Sequence, residues 1–249
     1  MKAFLRLFLL LLLAGLSLQL YFVGRIALMA VVDPESTAFE RSAVYSVVMT
    51  TGSLKWRQQW VPYADMSDNL KRAVIASEDA SFIEHEGLDI EALEKAWDKN
   101  AKAEQRVQQS RPKNPGAKAP AKPAKPPKIV GGSTITQQLA KNLFLSGERT
   151  LLRKGQELVL TVLLEKLLSK ERILEIYLNS VEWGEGVYGA EAASQQYYRK
   201  SASKLSAYEA ARLAVMLPRP KYFETRPSSG YLSSRASTIA ARMSSVELP

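Results

Sequence analysis

Two short segments hold more polar chemistry than packing would require. Gly131-Gly132-Ser133-Thr134-Ile135-Thr136-Gln137-Gln138-Leu139-Ala140-Lys141-Asn142 is followed, eleven residues on, by Arg153-Lys154-Gly155-Gln156-Glu157. On a helix, Arg153 and Lys154 lie one turn before Glu157, so the three heads project from one side. Alone, such a triplet is a surface ion pair worth about 0.3 kcal/mol. The neighbouring segment changes that reading, because Gln138, Lys141 and Asn142 also share one helical face. Three cations, together with the hydroxyls and amides of Ser133, Thr134, Gln138 and Asn142, then gather near one carboxylate. That combination suits a phosphate or pyrophosphate, to which Arg presents a donor fork and Lys a point charge.

Upstream, Glu78-Asp79-Ala80-Ser81-Phe82-Ile83-Glu84-His85-Glu86-Gly87 supplies the carboxylates a general base needs. Acids at the end of a helix oppose its macrodipole, so Glu78 and Asp79 are a poor choice for structure alone. His85 is the only histidine, and a lone histidine is more often a satisfied structural residue than a catalyst. The chain has no cysteine, which excludes disulfides, thiolate metal sites and a cysteine nucleophile. Any divalent ion would therefore be a hard, oxygen-bound one held partly by substrate phosphates.

The elements that must position these groups read as helices. Ser67 is an N-cap for a helix with Leu70, Ala73 and Val74 on one face, which delivers Glu78 and Asp79 at its end. Residues 89 to 108 form a second helix that grows steadily more polar. Thr150 to Leu168 carries Leu151, Leu152, Leu158, Val159, Val162, Leu163 and Leu167 at helical spacing. Ser169 caps the next helix, through Ile173, Leu174, Ile176 and Tyr177. Ser206 and Glu209 form a capping box for a helix that ends at Pro218. Ala43 to Met49 alternates and is expected to be a strand or extended connection. Other strand signals are sparse, so the body is expected to be mainly α.

A chain of 249 residues with 46% apolar content has room for one catalytic domain with a real core. Its formal charge of +9 prompts thoughts of nucleic acid, but nine Lys or Arg against the single acid Glu104 fall between Lys99 and Lys128. The rest of the chain is nearly neutral, and no nucleic-acid partner is expected. Within that stretch Pro112, Pro115, Pro120, Pro123, Pro126 and Pro127 block helix and sheet ladders, so about 99–128 reads as a disordered basic insertion. At the amino terminus Leu7 to Val23 is apolar apart from Gly15, Ser17 and Gln19, and Ile26 to Val32 extends it past Arg25. Lys2 and Arg6 precede it, which favours a retained signal anchor with its amino terminus in the cytoplasm. Residues 1–32 are thus assigned to the anchor, 33–55 to a connector and 56–249 to the catalytic domain.

These segments together resemble the peptidoglycan glycosyltransferases of glycosyltransferase family 51, in their monofunctional form. The resemblance rests on Glu78-Asp79-x-x-Phe82-x-x-His85-x-Gly87, on Gly132-Ser133-Thr134-Ile135-Thr136-Gln137-Gln138 with Lys141-Asn142, and on Arg153-Lys154-x-x-Glu157. Arg172-Ile173-Leu174-Glu175-x-Tyr177-Leu178-Asn179 and the Ala210 to Pro218 helix complete it. It implies a lysozyme-like, mainly α glycosyltransferase domain behind one transmembrane helix. The implied reaction is polymerisation of lipid II onto a growing glycan strand, in which an acceptor 4-hydroxyl displaces a lipid pyrophosphate with inversion. Glu78 would be the general base. Ser133, Thr134, Gln138, Lys141, Asn142, Arg153 and Lys154 would line the donor and pyrophosphate site, and Glu157 would orient the cations. Asp79, Phe82, His85 and Gly87 belong to the structural part of the first motif.

Glu157 is also the candidate for holding Mg2+ or Mn2+; no organic cofactor is implied. The implied surroundings are the bacterial inner membrane, a periplasmic catalytic domain and other wall-synthesis proteins. Ser201-Ala202-Ser203-Lys204 matches the Ser-x-x-Lys nucleophile pattern of transpeptidases, yet no Lys-Thr-Gly element accompanies it, and no transpeptidase activity is expected. Two other functions fit parts of the pattern: a lysozyme-like glycan-cleaving enzyme, and a membrane-tethered scaffold that binds wall polymer through the basic insertion.

Overall fold

The computed structural model describes residues 1–109, 132–145 and 150–249. Helix α1 (Lys2–Leu28) is the apolar amino-terminal run, with a mean hydropathy of 2.2 over its most apolar window. Its 27 residues give about 40 Å at 1.5 Å per residue, enough to cross a bilayer's hydrocarbon.

Helix α2 (Ala38–Thr51) corrects the extended reading of Ala43 to Met49. Thr37 Oγ1 accepts from Glu40 N and Glu40 Oε2 from Thr37 N, both at 3.0 Å, and Gly52 closes the helix with φ +66°. A capping box at one end and a left-handed glycine at the other outweigh a short alternation.

The body is built in two helical groups. Helices α3 (Asp68–Glu78), α9 (Ala207–Met216) and α11 (Gly230–Arg242) pack together. Beside them α5 (Ile135–Phe144) packs on α6 (Leu151–Leu167) and α7 (Lys170–Ser180). The fold is completed by α4 (Ile90–Gln109), α8 (Ala190–Tyr198), α10 (Pro220–Glu224) and an antiparallel pair, β1 (Glu182–Gly184) with β2 (Val187–Tyr188). Leu70, Ile75, Phe82, Ile135, Leu139, Leu160, Leu164, Ile173, Tyr177 and Trp183 are fully buried between the groups. Trp183 donates its indole N–H to Leu213 O at 3.0 Å, so even this large core ring leaves no orphaned donor.

The expected N-caps Ser67, Ser169 and Ser206 each accept a backbone N–H from the first turn of their helices, and Thr150, read as the first residue of its helix, is the N-cap of α6. The chain is mainly α, as expected. Over 99–109 the disordered reading is corrected, because α4 continues through Gln109. That part precedes Pro112 and is rich in Ala, Lys, Glu and Gln, which favour helix. The remainder of the insertion, together with Gly131, lies outside the described residues.

Candidate active site

Glu78 is the last residue of α3, at the seam between the two helical groups. Gln138 Nε2 on α5 donates to its Oε2 at 3.2 Å, and Ser77 Oγ donates to Oε1 at 3.3 Å. Burial raises its pKa; the Gln138 and Ser77 hydrogen bonds oppose that shift, nearby Asp79 reinforces it, and Arg235 opposes it. The Gln138 amide is itself oriented. Tyr177 OH donates to its Oε1 at 3.0 Å, which turns the amide N–H toward Glu78. Burial, with the carboxylates of Glu78 and Asp79, holds the Tyr177 phenol well above its ordinary pKa, so it remains a donor.

Asp79 faces the other way and serves the fold. Its Oδ2 accepts Ile135 N, the first amide of α5, at 2.9 Å, and its Oδ1 meets His85 Nε2 at 2.8 Å. Gly87 N donates to His85 Nδ1 at 3.1 Å, so the neutral ring carries its proton on Nε2 and donates to Asp79. The structural reading of the lone histidine therefore agrees with its contacts. Gly87 has φ +83°, and a Cβ there would lie 2.7 Å from Thr161 Cγ2, so the turn admits only glycine without rearrangement. Phe82 is fully buried under the Lys170 ammonium, 4.5 Å from the ring centre, and Lys170 also donates to His85 O at 2.6 Å.

Thr134 is the N-cap of α5. It forms a capping box with Gln137 and donates to Gly87 O at 2.7 Å, so its hydroxyl is committed to placing the helix. Ser133 is exposed beside it. Glu78, Ser133 and Thr134 line a cleft of about 440 Å³ that Arg235 and Arg242 of α11 also line.

The second group lies farther along α5. Lys141 is exposed one turn beyond Gln138, and Asn142 is half-buried. Arg153 donates to Glu157 Oε2 at 3.0 Å, and the Lys154 ammonium bonds Oε1. Glu157 is buried, and the Arg153 Nε is buried without a partner among the described residues. Partial desolvation lowers the Lys141 pKa; Glu157 opposes that shift, and Arg153 and Lys154 reinforce it. The packing of α5 on α6 brings the helices that carry the three cations together, in keeping with that coupling. Both Glu157 oxygens already pair with cations, so a divalent ion there would meet the like charges of Arg153 and Lys154 on both sides of the carboxylate. Glu157 thus does not fit a resident metal.

The expected residues fall into two stations joined by α5: Glu78 with Gln138 and Ser133, then Lys141 with Arg153, Lys154 and Glu157. Arg235, Arg242 and the supporting role of Tyr177 were not foreseen. In sequence the two arginines are ordinary helix residues seven apart, on one face, and Tyr177 is one more core position. Ser201 accepts Ser203 N at 3.4 Å and donates to Glu191 Oε2 at 3.2 Å, a capping role that accounts for it without nucleophilic chemistry.

A family model described as Transglycosylase matches residues 46–109 and 117–244. A protein named biosynthetic peptidoglycan transglycosylase from Burkholderia thailandensis is 54% identical over 236 residues, 95% of this chain and 84% of its own length. Proteins of the same name from Burkholderia pseudomallei and Paraburkholderia phytofirmans are 51% and 50% identical, each over 95% of this chain and over 84% and 89% of their own lengths.

Proposed function

The chain belongs to the transglycosylase family and is a peptidoglycan glycosyltransferase, and from that premise we propose that it polymerises lipid II with Glu78 as general base. The acceptor's 4-hydroxyl oxygen attacks the anomeric carbon of the donor sugar. As that bond forms, its proton passes to Glu78. The bond from the anomeric carbon to the pyrophosphate oxygen breaks, and the lipid pyrophosphate leaves with the electron pair on the opposite face. Lys141, Arg153 and Lys154 stabilise the charge that grows there, where preorganised cations contribute most. Gln138 and Ser133 position the donor between the two stations, and Glu157 holds the cations in place. Any Mg2+ or Mn2+ requirement belongs to the pyrophosphate itself, and no step is assigned to a metal.

The observation that carries this reading is the environment of Glu78: a carboxyl whose pKa burial raises, bonded to the neutral Gln138 amide, with Lys141 one turn beyond Gln138 on α5. A glycan hydrolase would have acids across a cleft but no departing diphosphate for Lys141, Arg153 and Lys154 to receive. Helix α1 supports placement in the cytoplasmic membrane, with the catalytic body on the outer side. Incubation with labelled lipid II should yield long glycan polymer, and incubation with purified sacculi should release no soluble fragments. Fragment release without consumption of lipid II would replace synthesis by cleavage.

A further inference from the structure

Gln19 is a strong hydrogen-bonding group in the apolar run of α1, where an unpaired amide in lipid is costly. It is not unpaired. Gln19 Nε2 donates to Gln156 Oε1 at 3.1 Å, and Gln156 Nε2 returns a bond to Gln19 Oε1 at 3.4 Å. Below this pair, Phe22 meets Phe144 at the end of α5 edge-on, with ring centres 5.3 Å apart. Ile26 and Met29 are buried against the body, and Arg172 of α7 binds Met29 O and the Asp33 carboxylate, each at 2.7 Å. Residues 19 to 33 therefore fasten the anchor to α5, α6 and α7, three of the helices that carry the expected motifs.

The contact with α6 falls at a weak point. Leu151 is 93% exposed and Leu152 87%, and a Cβ on Gly155 would meet nothing within 4 Å. Among the described residues, the first turns of α6 thus have little apolar support. They also carry Arg153 and Lys154, and Gln156 lies three residues beyond Arg153, on the same side of the helix.

We propose that Gln19 of the membrane anchor is a positioning residue for catalysis: through its reciprocal bond with Gln156 it holds the start of α6, and with it Arg153 and Lys154, in register with Lys141. This rests on the leaving-group role proposed above for those cations. The anchor then contributes to turnover as well as to localisation, and the loss of one amide should act on kcat rather than on substrate capture.

The test uses the full chain in phospholipid vesicles with labelled lipid II. Gln19→Leu and Gln156→Leu should each lower kcat by roughly ten- to a hundredfold, the cost of a small misplacement of catalytic groups, with KM changed little. The double variant should be no slower than either single one. Because the chain has no cysteine, Gln19→Cys/Gln156→Cys offers one defined pair: a short bifunctional thiol reagent, which restores the reach of the two amides that a direct disulfide would lack, should cross-link it within a single chain, and the protein should be slow before that reaction and recover most of the lost rate when bridged. Wild-type kcat in Gln19→Leu, failure to cross-link, or a bridged protein that stays slow would each overturn the proposal. Should the leucine variants fail to fold, the cysteine pair still decides it. Cross-linking reports the contact whatever the chemistry, so wild-type kcat in Arg153→Ala alongside efficient cross-linking would remove the leaving-group reading alone.

Discussion

Replacing Glu78 by Gln separates chemistry from stability. Gln keeps the shape of the side chain, and its amide oxygen can still accept the Gln138 N–H that now reaches Glu78 Oε2 at 3.2 Å. What is lost is the proton acceptor. General base catalysis is typically worth about 10²- to 10⁴-fold, so polymerisation should fall by that factor, or about 2.7–5.4 kcal/mol at 1.36 kcal/mol per decade.

Stability should move the other way. Burial raises the Glu78 pKa, so between the unfolded and folded pKa values the native state holds more protons than the unfolded one. Stability then declines as pH rises through that window, and the penalty persists above the folded pKa. Gln carries no such penalty, and each unit of displacement removed is worth about 1.4 kcal/mol. Thermal unfolding at pH 8 should therefore give a Tm for Glu78→Gln at or above that of the parent, and the two should converge near pH 4. The parent's rate should fall on the acid side with an apparent pKa above the usual carboxylate range of about 4.3. Near-normal polymerisation by the variant would refute the base assignment, and a lowered Tm at pH 8 would refute the reasoning from desolvation.

Two further substitutions probe the rest of the site. Lys141→Ala removes an exposed cation from α5 and should cut polymerisation by about 10²-fold with Tm unchanged; a rate equal to the parent's in a lipid II assay would take Lys141 out of the leaving-group site. Asp79→Asn should damage fold and activity together. The carboxylate accepts both Ile135 N and His85 Nε2, and an amide can accept only one of them, so a loss of about 1.5–3 kcal/mol is expected in denaturant unfolding; full stability would show that this clamp does not hold α5.

The parts of this arrangement that sequence reveals are the local ones. Ser67, Ser169 and Ser206 announce their helices because a cap needs only a hydroxyl and the next turn's amide. Gln138, Lys141 and Asn142 announce a shared face because helical spacing alone fixes it. Ala43 to Met49 misled because alternation over a short run is a weaker signal than the bracketing Thr37, Glu40 and Gly52. Arg235 and Arg242 were silent because they reach the Glu78 cleft only through the packing of α11 on α3 and α9. The roles of Thr134 and Tyr177 are likewise tertiary: one spends its hydroxyl on Gly87 O, and the other aims an amide from the core.

The choice of a neutral residue beside Glu78 follows from the demands of the two stations. A lysine in place of Gln138 would ion-pair with Glu78, lower its pKa and weaken it as a base. The departing diphosphate, however, needs cations close at hand. Helix α5 meets both needs by spacing: Gln138 touches Glu78, the proposed base, and Lys141 follows three residues later, about 4.5 Å along the axis at 1.5 Å per residue. A neutral donor thus meets the carboxylate, and positive charge begins one turn away. Displacement with inversion calls for this order, with the base on the acceptor side of the anomeric carbon and the cations on the side from which the leaving group departs. Because one short rigid helix sets the interval, anything that tilts α5 or lets the start of α6 drift disturbs both ends of the reaction together. The Asp79 clamp on Ile135 at one end of α5 and the anchor's contact with Phe144 at the other are placed to prevent that.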